Sequence, residues 1–387
     1  MQCKINRVTT FCNDYNSGNC HSCEWITLAY PEQLVKKEEI LKSALNLNAT
    51  SVQLEPTVAS KTTAFRNRAK MSVTGTSENP CIGLLGNDQL DLGRELLNCP
   101  IQHPTLNEVI KALPTFIREY NLVPYQINEK KGELKGLILF YSPQSDEMYL
   151  RFVLRSKECV SRIKKMLPKL QEQFPFLKCV SANIQPVPHA LLEGPEEVFI
   201  TERTHILHQL KNFKFQLSPQ AFVQTNADLA SKLYETAAKW IAEVRPEKML
   251  ELFCGQGAFS FFASNSAENI LGIEINESAV ATANQTAAAL GLTHLRFESM
   301  DARNAPPFGA DLILVNPPRR GLGDSIQVIL NQGPKHLVYS SCSHESLVKD
   351  LKTLEPFYSM KKVQIFDLFP HTEHFEILTF LERKQNT

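Results

Sequence analysis

The strongest constraint in this sequence is a series of short apolar runs, each closed by a turn and followed by a helical pattern, beginning near residue 205. Residues 249–253 read as a buried strand and residues 269–275 as the next, after which Asn276 can cap an alanine-rich helix to about residue 290. Residues 310–315 and 336–340 are two more strands of this kind. Residues 362–382 hold two strand-like runs around Phe369-Pro370-His371, expected as a hairpin at the sheet edge. Strands alternating with helices imply a parallel sheet covered on both faces. The expectation is a doubly wound, Rossmann-like α/β domain over 206–387, with ligands at the carboxyl ends of its strands.

The remainder divides into a segment 1–58, with cysteines and a helix, and a central α+β domain over 59–205. The helix is expected over 31–47, with Leu34, Leu41 and Leu45 near helical spacing; 24–58 could pack on the last domain. In the centre, 152–154 reads as strand and 158–174 as helix. A length of 387 residues is too great for one ordinary core. Forty-one basic residues balance forty-one acidic ones, which argues against a generic polycation and leaves a local basic groove open. There is no apolar run long enough to span a bilayer, and the first residues show no apolar core of an export signal. A cytoplasmic protein is expected, with its ten cysteines serving as thiols, ligands or catalysts rather than disulfides.

Gly255 and Gly257 follow the first strand, where the absence of Cβ atoms lets backbone approach a ligand. Glu274 ends the second strand, where an acid can accept hydrogen bonds from ribose hydroxyls. Ser260 stands where a dinucleotide fingerprint has its third glycine, so S-adenosylmethionine, which has no pyrophosphate, is favoured over a nicotinamide cofactor. Asn316-Pro317-Pro318-Arg319 follows the strand at 310–315, and its prolines fix where Asn316 points. Asn-Pro-Pro at this topological place suits methyl transfer to a nucleobase. Cys342 follows the strand 336–340 and precedes a helix beginning near His344, whose amino end favours a thiolate. A lone cysteine there is also compatible with a plain buried residue.

Four strings are shared with one family. Phe253-Cys254-Gly255-x-Gly257, Asn316-Pro317-Pro318-Arg319, Ser341-Cys342 and Phe369-Pro370-His371-Thr372-Glu373-His374-Phe375-Glu376 resemble the RNA uracil-C5 methyltransferases, as does Gln224-Thr225-Asn226. The resemblance spans nearly the whole chain. It implies Cys342 as nucleophile and Glu376 as base, with Gln224, Phe253, Glu274 and Asn316 contacting S-adenosylmethionine. Asp301 is expected to face the adenine. The implied chemistry is addition of the thiolate to C6, methyl transfer to C5, and removal of the C5 proton with expulsion of the thiolate. Methylation of an adenine amino group, which needs neither Cys342 nor Glu376, remains the alternative enzyme reading.

Cys12-x7-Cys20-x2-Cys23, with Cys99-Pro100 much later, could ligate zinc or an iron–sulfur cluster, and spacing alone does not decide. The resemblance implies a [4Fe–4S] cluster on Cys12, Cys20, Cys23 and Cys99, as in family members acting on ribosomal RNA, with Cys3 spare. Eleven residues before Cys12 leave no room for the RNA-binding barrel of long family members. The short type implies a uracil of 23S ribosomal RNA, U747, as substrate, with another ribosomal or transfer-RNA uracil as runner-up. A non-catalytic iron–sulfur sensor that binds RNA is the reading from a different class. Two basic stretches could line an RNA face: Lys61, Arg66, Arg68 and Lys70, and then Arg151, Arg155, Lys157, Arg162, Lys164, Lys165 and Lys169. No obligate protein partner is expected.

Overall fold

The alternating runs form the sheet they imply. In the computed structural model the described residues are 9–47, 52–85, 93–187 and 193–385. They divide into two units: residues through Thr27 with Thr62–Gln209 and Leu217–Pro219, and Leu28–Lys61 with Leu210–Gln216 and the chain from Gln220 onward.

The second unit holds strands β1 (Gln53–Leu54), β2 (Lys248–Leu252), β3 (Asn269–Glu274), β4 (Leu295–Ser299), β5 (Leu312–Val315), β6 (His336–Ser341), β7 (Tyr358–Phe366) and β8 (Glu376–Arg383). Their order in the sheet is β1-β7-β8-β6-β5-β2-β3-β4. Strands β2 to β6 pair in parallel, whereas β8 runs antiparallel to both β6 and β7. From β2 the chain winds outward through β3 and β4, then returns to the other side for β5. This puts the switch in strand order between β2 and β5, the place where such sheets bind ligands.

The expected hairpin forms, β7 pairing antiparallel with β8, but it does not hold the outermost edge. Strand β8 inserts between β6 and β7, and the edge is taken by β1, which pairs with β7 through Gln53 and Leu54. The reason lies in burial: Ile377, Leu378, Thr379, Phe380 and Leu381 are all buried, so this strand needs cover on both faces.

Helices α1 (Tyr30–Ala44), α2 (Ala227–Val244), α3 (Ala258–Phe262), α4 (Glu277–Ala289), α5 (Ile326–Gln332) and α6 (His344–Leu354) supply that cover. Alternate strand residues point to opposite faces. Met249, Ile270, Leu312 and Leu314 pack with residues of α2, α3 and α4, whereas Leu250, Leu271, Ile313 and Val315 pack with residues of α1, α5 and α6. Asn276 caps α4 as the sequence implies, its Oδ1 accepting from the Ala279 amide at 3.0 Å.

In α1 the inward face differs from the leucine pattern. The buried residues are Gln33, Lys37 and Leu41, while Leu34 and Leu45 are only partly covered.

The first unit is a mixed sheet in the order Gly93–Glu95, Pro80–Leu85, Arg68–Gly75, Leu134–Ser142, Glu147–Leu154, Leu177–Ile184 and Glu196–Phe199. Helices Pro104–Glu119 and Val160–Gln173 share a core with it through Leu106, Ile110, Leu113, Ile163, Met166 and Leu170.

Neither basic stretch is an unopposed positive strip. In this unit Arg151 is shared by Glu193 (2.7 Å) and Glu197 (2.5 Å), Lys70 meets Glu193 (2.5 Å), Arg155 meets Glu133 (2.6 Å) and Lys169 meets Glu119 (2.6 Å). Lys157 and Arg162 pair with Glu196 and Glu158. Most of these acids come from elsewhere in the chain, which is why the local run looked uncompensated.

Candidate active site

The loop leaving β2 carries the glycines. Phe253 has a positive φ of 60°, a conformation that costs a bulky residue energy and is held only where surrounding contacts dictate it. Gly255 (φ 54°) and Gly257 (φ 78°) follow. A Cβ on Gly257 would stand 2.4 Å from the Phe297 ring, whereas one on Gly255 would meet nothing within 4 Å. Gly257 is therefore required by packing and by φ, and Gly255 by its φ alone.

Glu274, at the end of β3, secures the loop. One of its carboxylate oxygens accepts from the Gly255 amide at 3.0 Å and the other from the Asn276 amide at 2.9 Å. Each oxygen keeps a second lone pair, so a ribose hydroxyl can still be accepted. Within the preceding strand, Glu251 is buried, accepts from the backbone and hydroxyl of Ser260, and has its pKa pushed up to about 8 by burial. It ties α3 to β2 rather than facing a ligand.

Val315 pairs with Leu252 on one side and Tyr339 on the other, so Asn316 leaves the sheet beside Phe253. Behind its prolines, Asp350 of α6 accepts from the Leu322 amide at 2.8 Å and from the Tyr339 hydroxyl at 2.7 Å. This fixes the Asn316 loop against β6. Gln224 is buried in the segment before α2. Its neighbour Asn226 caps α2 and donates to Ser60 Oγ (2.8 Å) and the Leu368 carbonyl (3.4 Å).

Asp301 is the exception among the expected cofactor residues. Both its oxygens are engaged by the Arg303 fork at 2.6–3.1 Å, and the Arg303 hydrogen bonds hold its carboxyl down at about 2. Its acceptors are already committed to a residue two positions on. Ile275, next after Glu274, is 68% exposed and offers an apolar surface at the same sheet edge. No periodicity would have singled it out.

Cys342 and Glu376 meet on the other side of the switch point. Strands β6 and β8 are in register as far as Ser341↔Ile377, so Cys342 and Glu376 are the residues that follow and precede the last paired rung, and the Glu376 charge acts on the Cys342 thiol. Glu376 is 1% exposed, and one of its oxygens accepts from Ser340 Oγ at 2.5 Å. Burial pushes its pKa up to about 7, against the Ser340 hydrogen bond that lowers it. Ser340 was not distinguished by the sequence, being one small residue in a buried strand.

Burial and the Glu376 charge push the half-buried Cys342 thiol up, with the Arg319 guanidinium pulling the other way. The expected gain from the helix terminus does not prevail. Cys342 lies one residue before the cap Ser343, and the first turn already holds an acid, Glu345, bonded to Ser343 Oγ at 2.6 Å. Arg319, named in the sequence only as part of a motif, is the charge that favours a thiolate here.

In the first unit Cys12, Cys20, Cys23 and Cys99 lie close enough for their charges to act on one another. Burial first, then Cys99, Cys20 and Cys12, push Cys23 up to about 12, while Arg66 lowers it. Among the described residues, no three of these sulfurs lie within 4.8 Å of one another. Cys3 lies outside the described residues. No helix among the described residues is long and apolar enough to cross a membrane.

The sequence model of a family described as tRNA (uracil-5-)-methyltransferase matches residues 195–306 and 296–384. The chain is 40% identical over 374 residues to a protein of Xenorhabdus nematophila named 23S rRNA (uracil(747)-C(5))-methyltransferase RlmC, covering 96% of this chain and 99% of that one. A Serratia proteamaculans protein of the same name is 41% identical over 376 residues, with the same coverage. Among solved structures, the tRNA (uracil-54, C5)-methyltransferase of Pyrococcus abyssi in complex with S-adenosyl-L-homocysteine superposes with a TM-score of 0.77. It is 24% identical and covers 93% of this chain and 85% of its own, a likeness of fold.

Proposed function

The chain belongs to the RNA uracil-C5 methyltransferase family, and on that footing we propose that it methylates C5 of a uracil in 23S ribosomal RNA, U747, using S-adenosylmethionine. The observation that supports the mechanism is the buried Glu376 carboxyl, one residue beyond the last β6–β8 rung, whose charge acts on the Cys342 thiol and whose pKa burial pushes up to about 7. The relatives' names support the choice of RNA and of nucleotide. The reaction then takes place in the cytoplasm, where that RNA is.

When bound, S-adenosylmethionine supplies an electrophilic methyl group. Glu274, the Gly255–Gly257 loop, Gln224, Phe253 and Asn316 would hold it at the switch point. Cys342 Sγ adds to C6 of the uracil, and the electron pair displaced onto the ring makes C5 a nucleophile that takes the methyl. The adduct then carries both a C5 proton and a C6–S bond. Glu376 accepts that proton, the electrons restore the C5–C6 double bond, and Cys342 leaves as thiolate. A carboxylate with pKa near neutrality suits this step, being ionised at working pH yet basic enough to take a carbon-bound proton.

Cys12, Cys20, Cys23 and Cys99 are proposed to hold a [4Fe–4S] cluster. A single zinc, at about 2.3 Å from each sulfur, draws tetrahedral sulfurs to about 3.8 Å apart. A cubane holds its ligands at separate corners and therefore further apart, in keeping with sulfurs that sense one another without a close trio. Such a cluster would supply the positive charge that four adjacent thiolates, one buried and three partly buried, require. Iron and acid-labile sulfide per chain, and their loss in Cys99→Ser, test this.

The function is tested with RNA in which 5-fluorouracil replaces uracil. Fluorine at C5 cannot leave as a cation, so the Cys342 adduct persists through denaturing electrophoresis. A shifted band with 23S fragments that is lost in Cys342→Ala supports the reading. A band only with transfer RNA overturns the substrate, and no band with either overturns the mechanism.

A further inference from the structure

A fully buried charged group outside this chemistry is Lys37. It is 0% exposed, and its ammonium donates to Asp367 Oδ1 at 2.6 Å, the Phe369 carbonyl at 3.1 Å and the His374 carbonyl at 2.9 Å. Three acceptors satisfy its three N–H groups. All three belong to the segment 367–375 that links β7 to β8, at its start, in its interior and just before its end.

Two more residues of α1 grip the same segment. Tyr30 Oη donates to Asp367 Oδ2 at 2.9 Å and accepts from the Ser60 amide at 2.8 Å. Gln33 Oε1 accepts from the His371 amide at 2.8 Å, and its Nε2 lies 3.2 Å from His371 Nδ1. His371 has a φ of 67°, an unfavourable conformation for a side-chain-bearing residue, so the segment has a shape it would not keep unaided. Residues 30, 33 and 37 are spaced i, i+3 and i+7, which puts them on one face of the helix.

Glu376 begins β8, two residues after the carbonyl that Lys37 binds. Cys342 and the glycine loop lie on other strands, and what they share with this segment is limited, among the described residues, to the Asn226 bond to the Leu368 carbonyl and the stacking of Phe375 on His344. A buried ion pair is weak evidence for stability, because well-packed apolar residues of similar volume do as well. What Lys37 supplies that they cannot is a fixed distance among three points of one loop.

We propose that Lys37, assisted by Gln33 and Tyr30, is a positioning residue for Glu376, holding the 367–375 segment so that the carboxylate stays aimed at the C5 proton. The proposal rests on the methyltransferase reading above. It has a specific kinetic consequence. Addition at C6 and methyl transfer to C5 use Cys342 and the cofactor loops, so they survive loosening of the segment. Proton removal and thiolate expulsion do not.

The test compares wild type, Lys37→Gln and the double variant Lys37→Met/Asp367→Leu, which removes both charges and so does not leave Asp367 buried alone. Unmodified 23S fragments and methyl-labelled S-adenosylmethionine are used, with Glu376→Gln as reference. Misplacement of a reacting group by about 1 Å costs on the order of 100-fold, so multiple turnover should fall by about that factor. Cofactor affinity should be unchanged, and a methyl-labelled protein–RNA adduct that survives denaturation should accumulate as in Glu376→Gln. Wild-type turnover in both variants would overturn the proposal. So would loss of adduct, turnover and cofactor binding in parallel, which marks a merely structural residue. Absence of turnover in the wild-type protein is a different result, and counts against the reading on which the proposal rests.

Discussion

Replacing Ser340 with alanine removes the hydroxyl that donates to Glu376 at 2.5 Å and leaves the carboxylate as buried as before. Burial holds Glu376 at about 7, and the Ser340 bond is what restrains it from rising further. A hydrogen bond to a charged group contributes about 1.5–3 kcal/mol, and 1.36 kcal/mol corresponds to about one pH unit, so the alanine variant should titrate about one to two pH units higher. The base acts in its ionised form, so activity rises with pH through this value.

At pH 7.5 a base with a pKa of about 7 is about three-quarters ionised. Moved up by one to two pH units it is about 3–25% ionised, and turnover at pH 7.5 should fall about 3- to 25-fold, recovering as pH is raised toward 9.5. The assay is the pH profile of multiple-turnover methylation, with S-adenosylmethionine affinity as the check on folding. A profile that keeps its position, or moves to lower pH, would refute the account of Glu376 as a desolvated base restrained by Ser340.

Glu376→Gln should abolish turnover yet stabilise the fold. The folded carboxyl titrates near 7 against 4.5 for the free group, so its cost appears as pH rises from 4.5 and is complete above about 7. The gain in unfolding free energy should be absent at pH 4, reach about 3 kcal/mol at most by pH 8, and be visible in denaturant midpoints. Gly257→Ala places a methyl 2.4 Å from the Phe297 ring at a φ of 78°, and should lower Tm and weaken S-adenosylmethionine binding. Phe297→Leu in the same chain should recover part of the Tm. Glu274→Gln leaves one loop amide without an acceptor, at about 1–3 kcal/mol, and calorimetry should find cofactor affinity down about 5- to 150-fold. Asp301→Asn should leave that affinity nearly unchanged, because its carboxylate is committed to Arg303.

The sheet and its ligand-binding edge were legible in the sequence because their signals are local. Apolar runs of strand length, the Asn276 cap and the two glycines each report on backbone within a few residues, and parallel winding then forces the loops to one edge. The Cys342 and Glu376 positions were legible as motif members. What surrounds them was not. The pairing with Ser340, the pull of Arg319 and the depth of burial that set the basicity of Glu376 depend on which strands neighbour which. Placement of β8 inside the sheet decides that.

The helix α1 shows the division most clearly. Its existence followed from Pro31 and the periodicity, but Leu34, Leu41 and Leu45 pointed to an apolar inner face. The folded chain instead buries Gln33 and Lys37 with Leu41. A lysine is buried only where a partner compensates the loss of water, and that partner, Asp367, lies 330 residues away. The same holds for the basic stretches, whose neutralising acids come largely from other elements of their unit. Local propensity fixes which segments are helix and strand, because it is set by neighbours in the chain. Whether a charge is solvated, paired or buried is set by neighbours in space, and only the assembled tertiary structure brings them together.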